Sequence, residues 1–173
     1  LPIVALSPLL PSEIEEALAH DIDPTVGDLE FARLLSAAAE RAGRPARFHV
    51  EIDTGMGRIG VREDEAAPFL AQVTALPKLR LASLYTHFPD ADAEDASYTH
   101  AQFERFRAVI ARLAAAGIQA PIVHAANSAG TVNLGAAHLD CVRLGLIAYG
   151  VHPPHDRARP AVEPVMSLRS RVV

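Results

Sequence analysis

HVEIDTGMGRIG, residues 49–60, is the segment that decides the fold of this chain. It alternates polar and apolar residues up to an aspartate and then enters a glycine-rich turn that carries one arginine. Successive side chains of a β-strand point to opposite faces, so Val50 and Ile52 share one face and Glu51 and Asp53 share the other. The first face is suited to packing, and the second is suited to a polar site.

The sequence around this segment favours a buried, parallel strand. Short apolar segments alternate with helical patterns along nearly the whole chain, which predicts parallel strands joined by crossover helices. In a closed barrel of such units, the apolar face of each strand contacts the helices and the other face points into the barrel. The alternative is an ordinary half-exposed antiparallel strand. We expect an α/β fold of the (β/α)8 TIM-barrel class, with His49 and Glu51 pointing inward.

The pattern predicts six strand regions and five helices. The strands are Pro2–Leu6, Asp23–Val26, the segment ending at Asp53, Leu79–Tyr85, Ile122–Ala126, and a last region of Asp140–Arg143 and Ile147–Tyr149. The helices are one opened by Ser12, Asp28–Ala42, Glu63–Leu76, Ala93–Ala116 and a short one opened by Asn127 and Ser128. Ser12 and Glu15 form a capping-box pattern, Gly43 and Gly117 end two helices, and Pro68 requires its helix to begin nearby.

The length allows one domain, or most of one. The 173 residues, half of them hydrophobic, can form a real core but fall short of the ~250 residues of a full (β/α)8 barrel. We expect an incomplete barrel over residues 1–160, containing about the third to eighth strands. Residues 161–173 are expected to form a linker and the first strand of a C-terminal β-domain. The chain begins with leucine, so we expect its native start upstream.

Charge and composition limit the expected partners. A net charge of -5 without a basic stripe, and 5% aromatic residues, argue against nucleic-acid binding. No apolar segment reaches the ~18 residues of a membrane span, and the first ten residues lack the basic start of a signal peptide. The single cysteine, Cys141, cannot form an internal disulfide, which fits the cytoplasm.

Polar candidates follow four of the predicted strands. They are Asp53 with Arg58, Thr86 with His87, Asn127 with Ser128, and Arg143 with Gly145. Loops at the C-terminal ends of barrel strands converge on one mouth, which carries the active site in such barrels. Each pair also has a structural interpretation: Asp53 could cap its own turn, His87 could be a core histidine, and Asn127 could be a helix cap.

Other sites are weakly indicated. Gly55, Gly57 and Gly60 match the dinucleotide-binding fingerprint, but the expected helix does not begin within them and no acidic residue ends the next strand. No metal-ligand spacing is present, since His152 and His155 lie on either side of two prolines. There is no nucleophile elbow or Ser-His-Asp order. We predict no metal.

Residues 127–130 form a better phosphate site. Small residues at a helix N-terminus leave several amides unpaired and aligned with the helix dipole, and Gly145 could add further amides. Barrels often bind phosphate with the loops after their last two strands. A cofactor that carries a phosphate is therefore expected.

Four segments resemble, in order and spacing, the signatures of the alanine racemase family. They are DTGMGRIG (53–60), THF (86–88), HAANSA (124–129) and VRLGLIAYG (142–150), and the resemblance covers nearly the whole chain. It implies a pyridoxal 5'-phosphate isomerase that interconverts L- and D-alanine and supplies D-alanine for peptidoglycan. It also implies an N-terminal barrel, a C-terminal β-domain and a homodimer with sites at the subunit interface.

The resemblance assigns roles to individual residues. The cofactor phosphate would be bound by Asn127, Ser128 and the backbone amides of Gly145 and Leu146. His87 would lie against the pyridine ring and bond to Arg143, which would face the pyridine nitrogen. A guanidinium keeps its proton, so the ring nitrogen would stay largely unprotonated, which limits side reactions of a long-lived carbanion. Arg58 would lie near the cofactor's phenolic oxygen and the substrate carboxylate.

The chain also departs from the family pattern. The Schiff-base lysine is absent, since the only lysine, Lys78, matches no catalytic motif, and the tyrosine that acts as the second base is absent too. We therefore expect this chain alone to be inactive. Glu51 stands where many members have a carbamylated lysine, and we hypothesise that it supplies that negative charge and pairs with Arg58. The alternatives are a related barrel enzyme, such as a D-threonine-aldolase-like lyase or a serine racemase, or a non-catalytic truncated barrel.

Overall fold

The computed structural model describes residues 2–152 and 160–171, which form an α/β fold around one parallel sheet. The sheet order is β1-β2-β3-β5-β6, and β4 pairs with β3 outside this path. The strands are β1 (Ile3–Pro8), β2 (Ile22–Thr25), β3 (Ala46–Asp53), β4 (Val61–Arg62), β5 (Leu79–Tyr85) and β6 (Ile122–His124). The α-helices are α1 (Ile14–Ala19), α2 (Leu29–Arg41), α3 (Ala66–Thr74), α4 (Ser97–Ala115) and α5 (Ser128–Asn133).

β3 occupies the middle of the sheet and has different surroundings on its two faces. Phe48, Val50 and Ile52 are fully buried in the core that the helices form on one face of the sheet. His49 and Glu51 are also buried, at 5% and 1% exposure, on the inner face. The polar residues therefore point into the interior, as the alternating pattern predicts, and each of them needs a polar partner there.

The sheet is that of a TIM barrel that does not close within the described residues. β1 lies at one edge, and Cys141 adds a single parallel bridge to His124 at the other. The amide of Asp140 donates to the carbonyl of Val123, and that of Arg143 donates to Ala126. Together with this last segment, the five strands of the sheet path occupy six consecutive strand positions of a parallel barrel. The predicted fold class is confirmed.

Several helix boundaries follow from local chemistry. Asp28 caps α2 by accepting from the amide of Phe31 at 2.8 Å, and Gly43 beyond its end has φ +69°. α4 likewise ends just before Gly117, which has φ +78°. A residue at such a φ is usually glycine, which explains why these helices end where predicted.

The first helix begins differently from the prediction. A 3₁₀ turn at Pro11–Glu13 precedes α1, and Ser12 does not cap it. The carboxylate of Glu13 accepts from the amide of Leu10 at 2.7 Å instead. The N-cap is therefore Leu10, two residues before the Ser12 of the predicted capping box, and Pro11 follows it at the first position of the turn, where its missing N–H needs no partner.

The end of the chain also differs from the prediction. Residues Leu146–Tyr149 form a 3₁₀ helix rather than a strand, since the amide of Ala148 bonds locally to the carbonyl of Gly145. Residues 165–171 form no strand either, because a strand needs a neighbouring strand that the described residues do not provide. The last two residues of the predicted strand, 172 and 173, lie outside the described residues.

The glycine-rich turn after β3 is stabilised by hydrogen bonds between its own residues. The carboxylate of Asp53 accepts from the amides of Gly55 and Gly57 at 2.9 and 3.0 Å, so this residue does cap its own turn. The chain then reaches Gly60, at φ +104°, and enters β4 beside β3. Within the described ranges, no helix is both long and apolar enough to cross a bilayer.

Gly60 is the glycine of this turn that packs directly against backbone, and a substitution tests this contact. A Cβ at Gly60 would lie 2.9 Å from the backbone oxygen of Glu51, in a φ region that L-residues avoid. We expect Gly60→Ala to destabilise the complete protein by about 3 kcal/mol. Gly57→Ala is the control, because a Cβ there meets nothing within 4 Å, and it should cost about 1 kcal/mol. Urea denaturation measures both, and equal losses would contradict the packing argument.

Candidate functional site

The C-terminal strand ends lie close together and are joined by side-chain hydrogen bonds. The hydroxyls of Thr54 and Thr86, after β3 and β5, are 2.7 Å apart. The amide of Asn127, after β6, donates to the carbonyl of Phe88 at 2.9 Å. A guanidinium nitrogen of Arg143 donates to the carbonyl of Thr86 at 2.7 Å. Four consecutive strand ends thus form one polar edge.

A cavity of about 360 Å³ opens at this edge. Its lining includes all six residues predicted to bind the cofactor, namely His87, Asn127, Ser128, Arg143, Gly145 and Leu146. The predicted substrate residue, Arg58, is exposed on the glycine-rich turn and is not part of this lining. The six predicted cofactor residues therefore share one cavity, and the predicted substrate residue, Arg58, lies outside its lining.

One side of the cavity carries hydrogen-bond donors suited to an anion. The Oγ of Ser128 accepts from the amide of Gly145 at 2.9 Å, which joins the start of α5 to the loop that follows Cys141. Asn127 caps α5 by accepting from the amide of Gly130. The amide of Leu146 begins a 3₁₀ helix and so has no partner within that helix.

Arg143 forms the other side of the cavity, and several hydrogen bonds and a ring contact hold its guanidinium in place. One Nη donates to Nδ1 of His124 at 2.7 Å, and the other donates to the carbonyls of Thr86 and Ala125 at 2.7 and 3.1 Å. The guanidinium also lies over the ring of Tyr85, 5.1 Å from its centroid. Four strand-end groups therefore hold one cation.

The expected contact of Arg143 with His87 is present but long. Nδ1 of His87 lies 3.4 Å from the guanidinium, whereas Nδ1 of His124 lies at 2.7 Å. Sequence reasoning missed His124 as a site residue, although it begins the HAANSA segment. The available signal was its position at the end of β6, next to the other strand-end groups.

Both histidines are neutral at pH 7. Burial, together with the charge of Arg143, lowers the pKa of His87 to about 4 and that of His124 to about 3. Burial also lowers the pKa of Arg143, but a guanidinium stays protonated in proteins. A neutral ring nitrogen can accept a hydrogen bond from this cation, so the arrangement keeps one positive charge beside two uncharged rings.

Glu51 is buried near this cation without an ion pair. Within the described residues, no carboxylate oxygen of Glu51 lies within 4 Å of Arg58, and its Oε1 has no hydrogen-bond partner. Burial raises the pKa of Glu51 to about 7, and a hydrogen bond to Tyr85 and the charges of Arg58 and Arg143 only partly oppose this rise. The hypothesised ion pair with Arg58 is not formed, and the carboxyl group is near its titration midpoint at neutral pH.

α4 connects the two loops that flank the site. The hydroxyl of Tyr98 donates to the carbonyl of Gly55 at 2.8 Å, and Arg105 donates to the carbonyl of Thr54 at 2.6 Å. The side chain of Gln102 donates to the carbonyl of His87 at 3.4 Å. The glycine-rich turn and the loop after β5 are therefore positioned by the same helix.

Comparison with known proteins identifies the family. The family model described as alanine racemase, N-terminal domain, matches residues 1–153. The chain belongs to the alanine racemase family. It is 42% identical to the alanine racemase of Desulfovibrio desulfuricans, over 99% of this chain and 47% of that protein. It is 38% identical to that of Halothermothrix orenii, over 100% of this chain and 46% of that protein.

Solved structures of alanine racemases share the fold. The enzyme of Clostridium difficile in complex with cycloserine matches with a TM-score of 0.91 and 32% identity, over 95% of this chain and 46% of that chain. The enzyme of Bacillus anthracis with bound L-Ala-P matches with a TM-score of 0.83 and 32% identity, over 94% and 43%. The chain thus spans slightly less than half the length of these relatives.

Membership in the alanine racemase family overturns the dinucleotide interpretation of the three glycines. Gly55, Gly57 and Gly60 form a self-capped turn that leads into β4, and α3 begins only at Ala66. Within the described residues, the His, Cys, Asp and Glu side chains form no group of three or more that could hold a metal ion. His155 lies outside the described residues.

The raised pKa of Glu51 predicts a pH-dependent stability. The folded state favours the protonated carboxyl, so its contribution to stability is full below pH 4.5 and is lost as pH rises through about 7. Glu51→Gln removes this penalty because the amide stays neutral. We expect the variant to gain, relative to the parent, on the order of 3 kcal/mol of unfolding free energy between pH 4.5 and 8.

Urea denaturation of the complete protein at both pH values measures this gain. Glu40→Gln is the matched control, since Glu40 is exposed on α2. A Glu51→Gln difference that is the same at both pH values would show that folding does not raise the pKa of the Glu51 carboxyl.

Proposed function

We propose that the complete protein containing this chain is a pyridoxal 5'-phosphate-dependent alanine racemase, which interconverts L- and D-alanine. The observation that carries the proposal is the cavity in which Ser128, the amide-bearing loop at Gly145 and the cation of Arg143 meet. The family supports the reaction. We assign the racemase activity to the complete protein and not to this chain alone, since the relatives are about twice as long as this chain.

The residues of the cavity fit a phosphate-bearing cofactor. A Cβ at Gly145 would meet only Oγ of Ser128, at 3.8 Å, so the space beside this loop is open to a ligand. The hydroxyl of Ser128 and the amide of Leu146 would bind the phosphate, because donors at helix starts favour anions. The amide of Gly145 would hold Oγ of Ser128 in place beside them. Asn127 would support them by capping α5.

Arg143 and His87 would position the ring of the cofactor. Bound pyridoxal phosphate would supply the electron sink for the electron pair released when the α-proton leaves the substrate. The Nε–H of Arg143 forms no hydrogen bond within the described part of the chain, so it is free to donate to a ring nitrogen. His87, neutral and half-buried in the cavity lining, would pack against the ring.

Arg58 would recognise the carboxylate of the substrate. It extends from the glycine-rich turn and is exposed, while the turn itself is fixed by Asp53 and α4. A small amino acid as substrate is supported by the relatives from Clostridium difficile and Bacillus anthracis, whose structures contain cycloserine and L-Ala-P.

We also propose that the protein acts as a homodimer in the cytoplasm. Leu144, Leu146, Tyr149 and Val151 are 47–62% exposed in one stretch of chain that adjoins the cavity. Contiguous exposed apolar side chains of this kind mark protein interfaces. The Schiff-base lysine and the second, tyrosine base would come from parts of the complete protein outside this chain.

Exchange of the α-proton tests the function. The complete protein, supplied with pyridoxal phosphate in deuterated water, should incorporate deuterium at the α-carbon of L-alanine and D-alanine and interconvert the two enantiomers. Faster turnover of serine would favour a serine racemase. Cleavage of D-threonine without racemisation would favour the lyase, and a bound cofactor without any exchange would contradict catalysis.

A substitution in the phosphate site gives a separate test. We expect Ser128→Ala to weaken the affinity of the complete protein for pyridoxal phosphate by roughly tenfold, because a hydrogen bond to a charged group is lost. Ser36→Ala is the control, since Ser36 is equally buried but bonds to the carbonyl of Pro77 on the outer side of the sheet. Titration of the cofactor absorbance measures both, and an unchanged affinity in Ser128→Ala would argue against this phosphate site.

A further inference from the structure

A row of buried polar side chains crosses the interior of the sheet and ends at Arg143. It consists of Asp23 on β2, His49 on β3, Ser83 on β5 and His124 on β6, which are 1–7% exposed. Nδ1 of His49 lies 2.5 Å from Oγ of Ser83, and Oγ of Ser83 lies 3.0 Å from Nε2 of His124. The row therefore links four neighbouring strands to the guanidinium.

The cation at one end fixes the direction of these hydrogen bonds. Arg143 can only donate, so Nδ1 of His124, 2.7 Å away, must accept. A neutral imidazole has one N–H, which in His124 must then be on Nε2 and must point at Ser83. The hydroxyl of Ser83 accepts that bond, and its own hydrogen is left for Nδ1 of His49.

The carboxylate at the other end selects the same direction. Oδ2 of Asp23 lies 3.6 Å from Nε2 of His49, which favours a proton on that nitrogen and leaves Nδ1 as the acceptor. Asp23 in turn pairs with Arg47 at 2.7 Å, at the edge of the sheet away from the cavity. The two ends of the row thus impose one consistent set of tautomers.

The charges around the row support neutral rings. The pKa of His124 is lowered by burial and by Arg143, and that of His49 is lowered by burial and by Arg47 while Asp23 opposes the shift. A ring with both nitrogens protonated would offer Arg143 no acceptor. If His124 carried its proton on Nδ1, two donors would face each other, and Arg143 would keep only its bonds to backbone carbonyls.

We propose that Asp23, His49 and Ser83 are positioning residues that hold His124 in its Nε2–H tautomer and thereby fix the guanidinium of Arg143. They touch neither the cavity of the cofactor nor the proposed substrate position, and they act through His124 alone. The tautomer itself depends only on the described contacts. Its effect on catalysis rests on the proposed function, in which Arg143 faces the cofactor ring.

Nitrogen-15 NMR of the histidine rings tests the tautomer directly. The complete protein, labelled at its imidazole nitrogens, should show a neutral His124 with its proton on Nε2 at pH 7, assigned by the loss of that signal in His124→Gln. Ser83→Ala removes the hydroxyl that joins the two rings, so the signals of His49 and His124 should shift toward mixed tautomers. Ser36→Ala should leave them unchanged.

The same variants should differ in kcat/KM for alanine and in the absorbance of the bound cofactor. We expect Ser83→Ala to lower kcat/KM for alanine by roughly fivefold to tenfold, the loss equivalent to one buried hydrogen bond, and Ser36→Ala to leave it unchanged. The absorbance band of the bound cofactor should also shift in Ser83→Ala, because Arg143 is less firmly held beside the ring.

The outcomes separate this inference from the proposed function. A proton on Nδ1 of His124 in the parent protein would overturn the inference even if Ser83→Ala failed to fold. An unchanged spectrum in a folded Ser83→Ala would overturn the role of Ser83. The expected tautomer in a protein without racemase activity would overturn the function and leave the hydrogen-bond row intact.

Discussion

The hydrogen bonds of one half-buried guanidinium determine how the strand ends of this molecule are arranged. Arg143 donates to the ring of His124 and to the carbonyls of Thr86 and Ala125, so the ends of β5 and β6 and the segment after Cys141 must lie within reach of one side chain. A cation that only donates requires acceptors, and one partly shielded from water requires them to be in place. The cavity and the loops that line it are arranged around that requirement.

The inner face of the sheet is unusual for a domain core because it is polar. His49, Ser83 and His124 replace apolar packing there with hydrogen bonds, and each strand supplies one member. Two atoms of this face have no hydrogen-bond partner within the described residues, Nε2 of His49 and Oε1 of Glu51, and burial raises the pKa of the Glu51 carboxyl to about 7. Hydrogen-bonded polar side chains rigidify an interior, whereas a partly satisfied group marks the place where charge and protonation can change.

Much of the fold could be predicted from the alternation of polar and apolar residues and from the glycines that end helices. The period-two pattern of β3 indicated which side chains point inward, and Gly43 and Gly117 indicated where two helices end. Five of the six cavity residues were predicted because strand ends of one sheet meet at one edge, and Leu146 was predicted from the resemblance to the family. Their roles toward a cofactor remain predictions.

Other features depend on contacts that a sequence pattern does not contain. The residues Leu146–Tyr149 have the composition of a strand but form a 3₁₀ helix, because the amide of Ala148 bonds locally to the carbonyl of Gly145. The role of His124 depends on a partner 19 residues away, and the state of Glu51 depends on burial rather than on its neighbours in sequence. Distant pairing and desolvation are properties of the assembled interior.

The position of α4 has a consequence for how this site can diversify. One helix holds the glycine-rich turn through Tyr98 and Arg105 and the loop after β5 through Gln102. A change in the length or tilt of α4 would displace both loops at once, on both sides of the pocket. Side-chain exchange at the tip of the turn, residues 56–59, therefore disturbs this edge of the sheet less than insertions or deletions in the backbone around it.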